Sequence, residues 1–253
     1  MSKEYNISRK LIEGLTGIAL GKTTAAVVFG LRYCAVKLDG GECGVAFNFL
    51  SEDSHDSEYV GGKVSPADRP AVELLKLLES ERSLERALGL ATANALAVTE
   101  KRDYLSGDIL GNLQVRLSDK MAMAGDFRPL EPLLRSQCAE LKILELKTDG
   151  NDGLIPFEQA ENVIPYSDIT IVTGAAIVNG TLDKVLEMAQ GCRETAVLGP
   201  STPLCPEAFA GTPVTMLSGN LITDADLILR TAAEGGGTRR FKPGIRKVNL
   251  RIV

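Results

Sequence analysis

Two kinds of residue in this sequence could do chemistry: carboxylates at the ends of apolar runs, and glycine-bearing loops that follow such runs. The stretch from Met121 to Glu145 carries both. Its first apolar run, Met121–Ala124, ends in Gly125, Asp126 and Phe127, and its second ends in Glu145, twenty residues after Gly125. An acid at that offset takes a ribose hydroxyl pair in dinucleotide-binding folds. The loop holds one glycine and not the full G-x-G-x-x-G pattern, so Glu145 can equally end a strand and face water. Asp126 is the first acid–base candidate, because a carboxylate enclosed in a crevice has its pKa raised and can move a proton near neutrality. Glu42, beside the turn Asp39-Gly40-Gly41, is the second: it is either a solvated edge residue or one that projects toward a neighbouring domain.

Two more loops extend the pattern. Thr173-Gly174 closes an apolar run and leads to Asn179 and Thr181, either of which can cap the next helix. Gly199-Pro200-Ser201-Thr202 closes another, with Thr202 as a cap and Pro203 at the first helical position. Helix N-termini offer free N–H groups and a favourable dipole to anions. Three glycine loops on one sheet edge (Gly125, Gly174, Gly199) point to a ligand crevice, with Phe127 beside it; the alternative is that they are simply well-capped helices. Asn94 lies in the apolar half of an alanine-rich helix, where a buried amide must find partners, as a structural bond-former or as part of the ligand site.

Metal-ligating types are sparse. The five cysteines (Cys34, Cys43, Cys138, Cys192, Cys205) are scattered, and the single histidine, His55, lies in a charged run that reads as a solvated loop. Soft heavy metals need converging sulfur or imidazole. A divalent metal held by oxygen would fall to Glu42, Asp126 or Asp152, a set that favours hard ions.

The elements that must position these groups follow from periodicity. Ile7, Leu11 and Leu15 form one stripe of a helix that Gly17 could end. Ala25–Phe29, Tyr33–Leu38 and Cys43–Phe49 read as an antiparallel meander. Asp68 and Ser83 are the expected caps of two helices, the second being alanine- and glycine-rich and suited to close packing. The polar stretch 99–108 marks a boundary, giving domains 1–100 and 101–253; Asp108–Val115 reads as a short helix. Beyond it, strands at 121–124, 141–146, 168–172, 195–198 and 214–217 alternate with helical segments, including an amphipathic one with Leu130, Leu133, Leu134 and Cys138. This is the pattern of a Rossmann-like, doubly wound, mostly parallel sheet. Thr223 with Asp226 resembles a capping box, and glycines 235–237 end that helix. The basic tail from Thr238 reads as an edge strand kept apart by lysine and arginine; it could also bind a phosphate-bearing partner.

With 253 residues, 44% hydrophobic and 24% charged, the composition is that of an ordinary globular chain. A net charge of −5 gives no general attraction to nucleic acid or anionic lipid. No apolar run is long enough to span a bilayer, and MSKEYNISRK lacks a signal core, so a cytoplasmic location is expected. The partner expected is a small-molecule ligand, with neither nucleic acid nor membrane. A homodimer is open to this fold class.

The segments AGDFRPL, TGAAIVNGTLDKVL and VLGPSTPLCPEAF, with GGECGVAF and ALGLATANAL in the first half, resemble the bacterial and archaeal two-domain family described as putative heavy-metal chelation, over nearly the whole chain. The resemblance implies a small α+β domain similar to the enolase N-terminal fold followed by a Rossmann-like domain, with a site in the cleft between them. It also implies a role in making or cleaving pterin, flavin-precursor or siderophore-like compounds, by condensation or hydrolysis. The matching positions are Glu42, Asn94, Gly125, Asp126, Thr173, Gly174, Asn179, Thr181, Gly199, Pro200, Ser201 and Thr202. A non-catalytic chelator-binding protein and a methyltransferase-like enzyme are the alternatives.

Overall fold

The computed structural model describes residues 5–49, 65–125, 127–148, 150 and 153–252. His55, Asp126, Asp149 and Asp152 lie outside them. Helix α1 (Ile7–Ala19) is capped by Asn6, whose side chain accepts the Arg9 N–H at 2.9 Å. Ile7, Leu11, Leu15 and Ala19 are buried; full burial contributes roughly 1.5–3 kcal/mol for each leucine. The helix continues past Gly17, because an interior glycine costs only about 1 kcal/mol.

Strands β1 (Thr24–Phe29), β2 (Tyr33–Leu38) and β3 (Cys43–Phe47) form the expected antiparallel meander. Helices α2 (Ala71–Leu75) and α3 (Ser83–Ala97) pack behind it. Every residue of α3 from Ala87 to Ala97 is buried. A Cβ on Gly44 of β3 would stand 2.2 Å from the carbonyl oxygen of Ala91, so glycine is what lets the strand lie against this helix. The caps differ from expectation. The Asp68 N–H is bonded to the Thr24 carbonyl at 2.7 Å, which ties Asp68 to β1, and Pro70 begins α2. Ser83 is the first residue inside α3, with Arg82 at its cap.

The larger sheet contains β4 (Leu105–Ser106), β5 (Lys120–Ala124), β6 (Glu140–Glu145), β7 (Leu154–Pro156), β8 (Ile169–Thr173), β9 (Glu194–Leu198), β10 (Met216–Ile222) and β11 (Ile245–Arg251), in the order β4-β11-β10-β9-β8-β5-β6-β7. From β7 through β10 all pairings are parallel. The pairings of β11 with β10 and β4 are antiparallel. The basic tail therefore lies inside the edge, since the short β4 pairs Val248 and Asn249 of β11. Alternate residues feed different cores: Met121, Met123, Ile169, Ile171, Ala196 and Met216 on one face, Ala122, Ala124, Val172, Val197 and Leu217 on the other.

Helices α4 (Glu131–Arg135), α5 (Leu182–Met188), α6 (Ala225–Ala233) and α7 (Thr238–Phe241) join these strands. The amphipathic segment after Phe127 shortens to the five residues of α4, buries Leu134 and leaves Leu133 51% exposed. The turn from Phe127 to Leu130 takes up chain that a longer helix would need. Ile109–Gly111 is a single 3-10 turn in place of the helix expected there. Asp224, and not Thr223, caps α6, accepting the Leu227 N–H at 2.9 Å. Among the described residues no helix is long and apolar enough to cross a membrane.

Candidate functional site

The chain runs from β5 outward to β6 and β7, then returns to the other side of β5 as β8. Loops leaving β5 and β8 therefore diverge, and in open α/β sheets the crevice at this switch point holds the ligand. A cleft of about 770 Å³ lies here, lined by Gly125, Glu145, Thr173, Gly199 and Ser218 at the carboxyl ends of β5, β6, β8, β9 and β10.

Each loop has a local reason for its course. Gly125 stands at φ +109° and Gly199 at φ +116°, conformations that side chains with a Cβ rarely adopt. A Cβ on Gly125 would also meet Thr173 Cγ2 at 3.0 Å. The Thr173 hydroxyl accepts the Ala175 N–H at 3.3 Å, and a 3-10 turn, Gly174–Ile177, follows. The Asn179 side-chain oxygen, Oδ1, accepts both the N–H and the hydroxyl of Thr181, at 3.0 and 2.7 Å. After β9 the chain forms no regular helix at Pro203; the next element is a 3-10 turn, Pro206–Phe209. Neither glycine loop thus opens directly into an α-helix, and the expected anion-binding helix N-termini are absent from these two loops.

Aromatic rings wall the cleft. Phe127 and Phe157 come from the sheet side, and Tyr33, Phe47 and Phe49 from the meander. Phe47 packs edge-on against Tyr33 and Phe49, with ring centres 5.6 and 5.0 Å apart. The Ser201 hydroxyl accepts the Phe47 N–H at 2.8 Å and joins the wall to the floor. Burial pushes the Tyr33 phenol up to about 12, so it stays protonated at neutral pH.

Gly125, Phe127, Glu145, Thr173, Asn179, Thr181, Gly199, Pro200 and Ser201 line the cleft together. Gly174, Thr202, Asn94 and Glu42 fall elsewhere. Gly174 serves packing: its Cβ would stand 2.6 Å from the Thr202 nitrogen. Asn94 donates to the Val45 carbonyl at 2.7 Å and, with Thr202, lines a small neighbouring cavity. Glu42 pairs with Lys22 at 2.7 Å at the turn end of β3. Phe47, at the cleft end of that strand, is roughly 16 Å further on at about 3.3 Å per residue. Local pattern pointed to none of Tyr33, Phe47, Phe49, Phe157, Ser218 and Asn220, while Arg239 and Lys242 belong to the basic tail that could bind a phosphate-bearing partner. The signal was available for Ser218 and Asn220, which follow a predicted parallel strand.

Soft-metal chemistry finds little support in these side chains. Among the described residues no group of three or more His, Cys, Asp and Glu side chains converges. Burial pushes the thiols of Cys43 and Cys205 up to about 12 and 11, and raises that of Cys34 further. A thiol must lose its proton to bind metal. The described residues do not fit direct chelation of a heavy metal.

Comparison with known proteins places this geometry. An uncharacterized protein of Methanocaldococcus jannaschii is 24% identical over 184 residues, 71% of either chain. The crystal structure of a DUF364-family protein of unknown function from Pyrococcus horikoshii matches with a TM-score of 0.83 at 23% identity, covering 98% of this chain and 100% of that one. A second such structure, from Desulfitobacterium hafniense DCB-2, gives 0.81 at 23% identity, over 97% and 98% of the two chains. These structures share the fold. Two family models, DUF4213 and DUF364, both described as "Putative heavy-metal chelation", match residues 12–97 and 108–251. The DUF364 match spans more than half of the sequence, and the chain belongs to that family.

Proposed function

We propose that this protein binds a small, polar, partly planar metabolite of the pterin, flavin-precursor or siderophore-like class in the cleft. Metal handling then runs through the organic ligand and not through protein donors. The observation that carries this reading is the aromatic-walled space of about 770 Å³ across the switch point of the sheet. Flat rings stack on such walls, and the hydroxyls and amides of Thr173, Asn179, Thr181 and Ser218 supply polar contacts that orient a heterocycle. Transformation of the ligand, as opposed to carriage, rests on Asp126, whose neighbours Gly125 and Phe127 both line the cleft.

Thermal unfolding with pterins, flavins, chelators with and without divalent metal, bare metal and S-adenosylmethionine tests the reading. A ligand at about 100 times its dissociation constant adds roughly 2.7 kcal/mol, on the order of 5–10 °C for a chain of this size. An organic heterocycle or chelator is expected to produce that shift. Stabilisation by bare metal alone would sink the proposal. A second reading is favoured by Glu145, which ends β6 within the cleft: there it takes a ribose hydroxyl pair of an S-adenosylmethionine-like nucleotide. Glu145→Ala should then sharply weaken binding of that cofactor, and failure of the unmutated protein to bind it removes this reading.

A further inference from the structure

The cleft is electrically uneven along the sheet. At one end stands Glu145, on β6. At the other, beyond β9, lie Ser218 and Asn220 of β10, Thr238 and Arg239 of α7, Lys242 just after it, and Lys247 of β11. Lys247 is paired with Asp108 at 3.0 Å, while Arg239 and Lys242 have no acidic partner among the described residues. Ser218 is 7% exposed, lines the cleft, and its hydroxyl has no hydrogen-bond partner among the described residues. The side chain of Asn220, directly across from Lys247 in the β10–β11 pair, is likewise unbonded. Residues two apart on a strand share a face, so Ser218 and Asn220 point the same way. Thr238 and Lys242 lie about one helical turn apart.

We infer that this end of the cleft is an oxyanion subsite: the ligand carries a phosphate or carboxylate, received by Ser218, Asn220, Thr238, Arg239 and Lys242. The inference rests on the proposed binding of a heterocycle in the same cleft and names its charge class. Hydroxyl and amide groups donate to the oxygens, and the two cations balance the charge. The heterocycle lies beside Phe127, whose ring comes within 3.6–3.7 Å of the Cβ positions of Gly125 and Gly199. From β9 to β10 is one strand spacing, about 4.8 Å, a distance that a short side chain on a heterocycle spans. The basic tail thereby gains a role besides pairing in the sheet.

The test compares matched ligands by calorimetric titration: riboflavin with its 5′-phosphate, adenosine with its monophosphate, and pterin with pterin-6-carboxylate. The anionic member of at least one pair is expected to bind roughly tenfold or more tightly than the neutral member, the gain from a charge-assisted hydrogen bond. The phosphate and carboxylate pairs show which oxyanion the site takes. Arg239→Ala/Lys242→Ala should erase most of that difference. Lys76→Ala/Lys101→Ala, with the same change in net charge away from the cleft, should leave both members unchanged. Equal binding of the charged and neutral members overturns the subsite, as does a difference that survives in the Arg239/Lys242 variant or falls equally in the control. If the charged and neutral members bind equally and Phe127→Ala weakens both, the cleft reading stands while the subsite falls. If no member of any pair binds, both fall.

Discussion

The two edges of the large sheet treat polar groups in opposite ways. At the amino edge the carboxylates are paired, although the buried Arg193 Nε and Thr195 hydroxyl stay unbonded among the described residues. Asp119 accepts Arg193 at 3.1 and 2.6 Å and the Arg116 N–H at 2.7 Å. Glu194 takes Arg251 at 2.6 Å and the Thr215 hydroxyl at 2.5 Å, and Asp168 takes the Lys120 N–H at 2.8 Å. At the carboxyl edge, the side chains of Ser218 and Asn220 have no such partners among the described residues and stand beside open space. One edge is closed by its own charges, and the other is left incomplete. Buried polar groups are normally bonded, and in the proposed reading a ligand supplies the partner that Ser218 lacks.

Three substitutions test this contrast, ordered by their expected effect on stability. Arg193→Ala should destabilise the fold by about 2–3 kcal/mol in urea unfolding, because the Asp119 side chain is only 3% exposed and would lose its partner. The same pair sets a pH dependence. The hydrogen bond from Arg193 holds the Asp119 carboxyl below its ordinary value, against the opposite effect of burial. Its contribution is therefore complete above the ordinary aspartate pKa of about 3.9 and is lost as pH falls through the lower folded value. Arg193→Ala should flatten the stability profile in that acid range; an unchanged slope would show that other carboxylates set it. Gly125→Ala comes next, at about 1–2 kcal/mol for its left-handed backbone, and should also abolish ligand-induced stabilisation. A normal ligand response in a folded Gly125→Ala protein would remove this loop from the site. Ser218→Ala should change stability by less than about 0.5 kcal/mol, yet lower the affinity for the charged ligand of a matched pair. A large loss of stability there would mean that the hydroxyl is structural and the two edges are alike.

Much of this contrast was legible in the sequence. Apolar runs ending in Gly125, Thr173 and Gly199 mark parallel strands and their carboxyl ends, because strands buried on both faces leave an unbroken apolar signature. What local pattern could not show was the wall opposite. Tyr33, Phe47 and Phe49 reach the cleft through the packing of a separate sheet, a contact distant along the chain. Glu42 was a candidate beside the turn, but β3 runs from that turn toward the cleft, so Phe47 at its far end is the residue that lines it. Expected caps at Asp68, Ser83, Thr202 and Thr223 moved or vanished for a related reason. Their side chains favour several local turns of similar energy, and tertiary bonds such as Asp68 to Thr24 select among them.

One apolar cluster runs without interruption from Leu11 and Leu15 of α1, through α3, to Val172 of β8 and Leu217 of β10. Polar ties cross the same boundary: Ile7 N–H to Asp183 at 3.1 Å and Lys10 to the Ala210 carbonyl at 3.0 Å. The meander and the parallel sheet are therefore expected to melt together, as one transition in calorimetric unfolding. Severing the chain near residue 100 would strip apolar surface from both pieces, and neither would keep its native shape alone. The wall residues Tyr33 and Phe47 pack into a second cluster with Ile228 and Phe241, so the meander side of the cleft is seated in packed interior and not on a free loop.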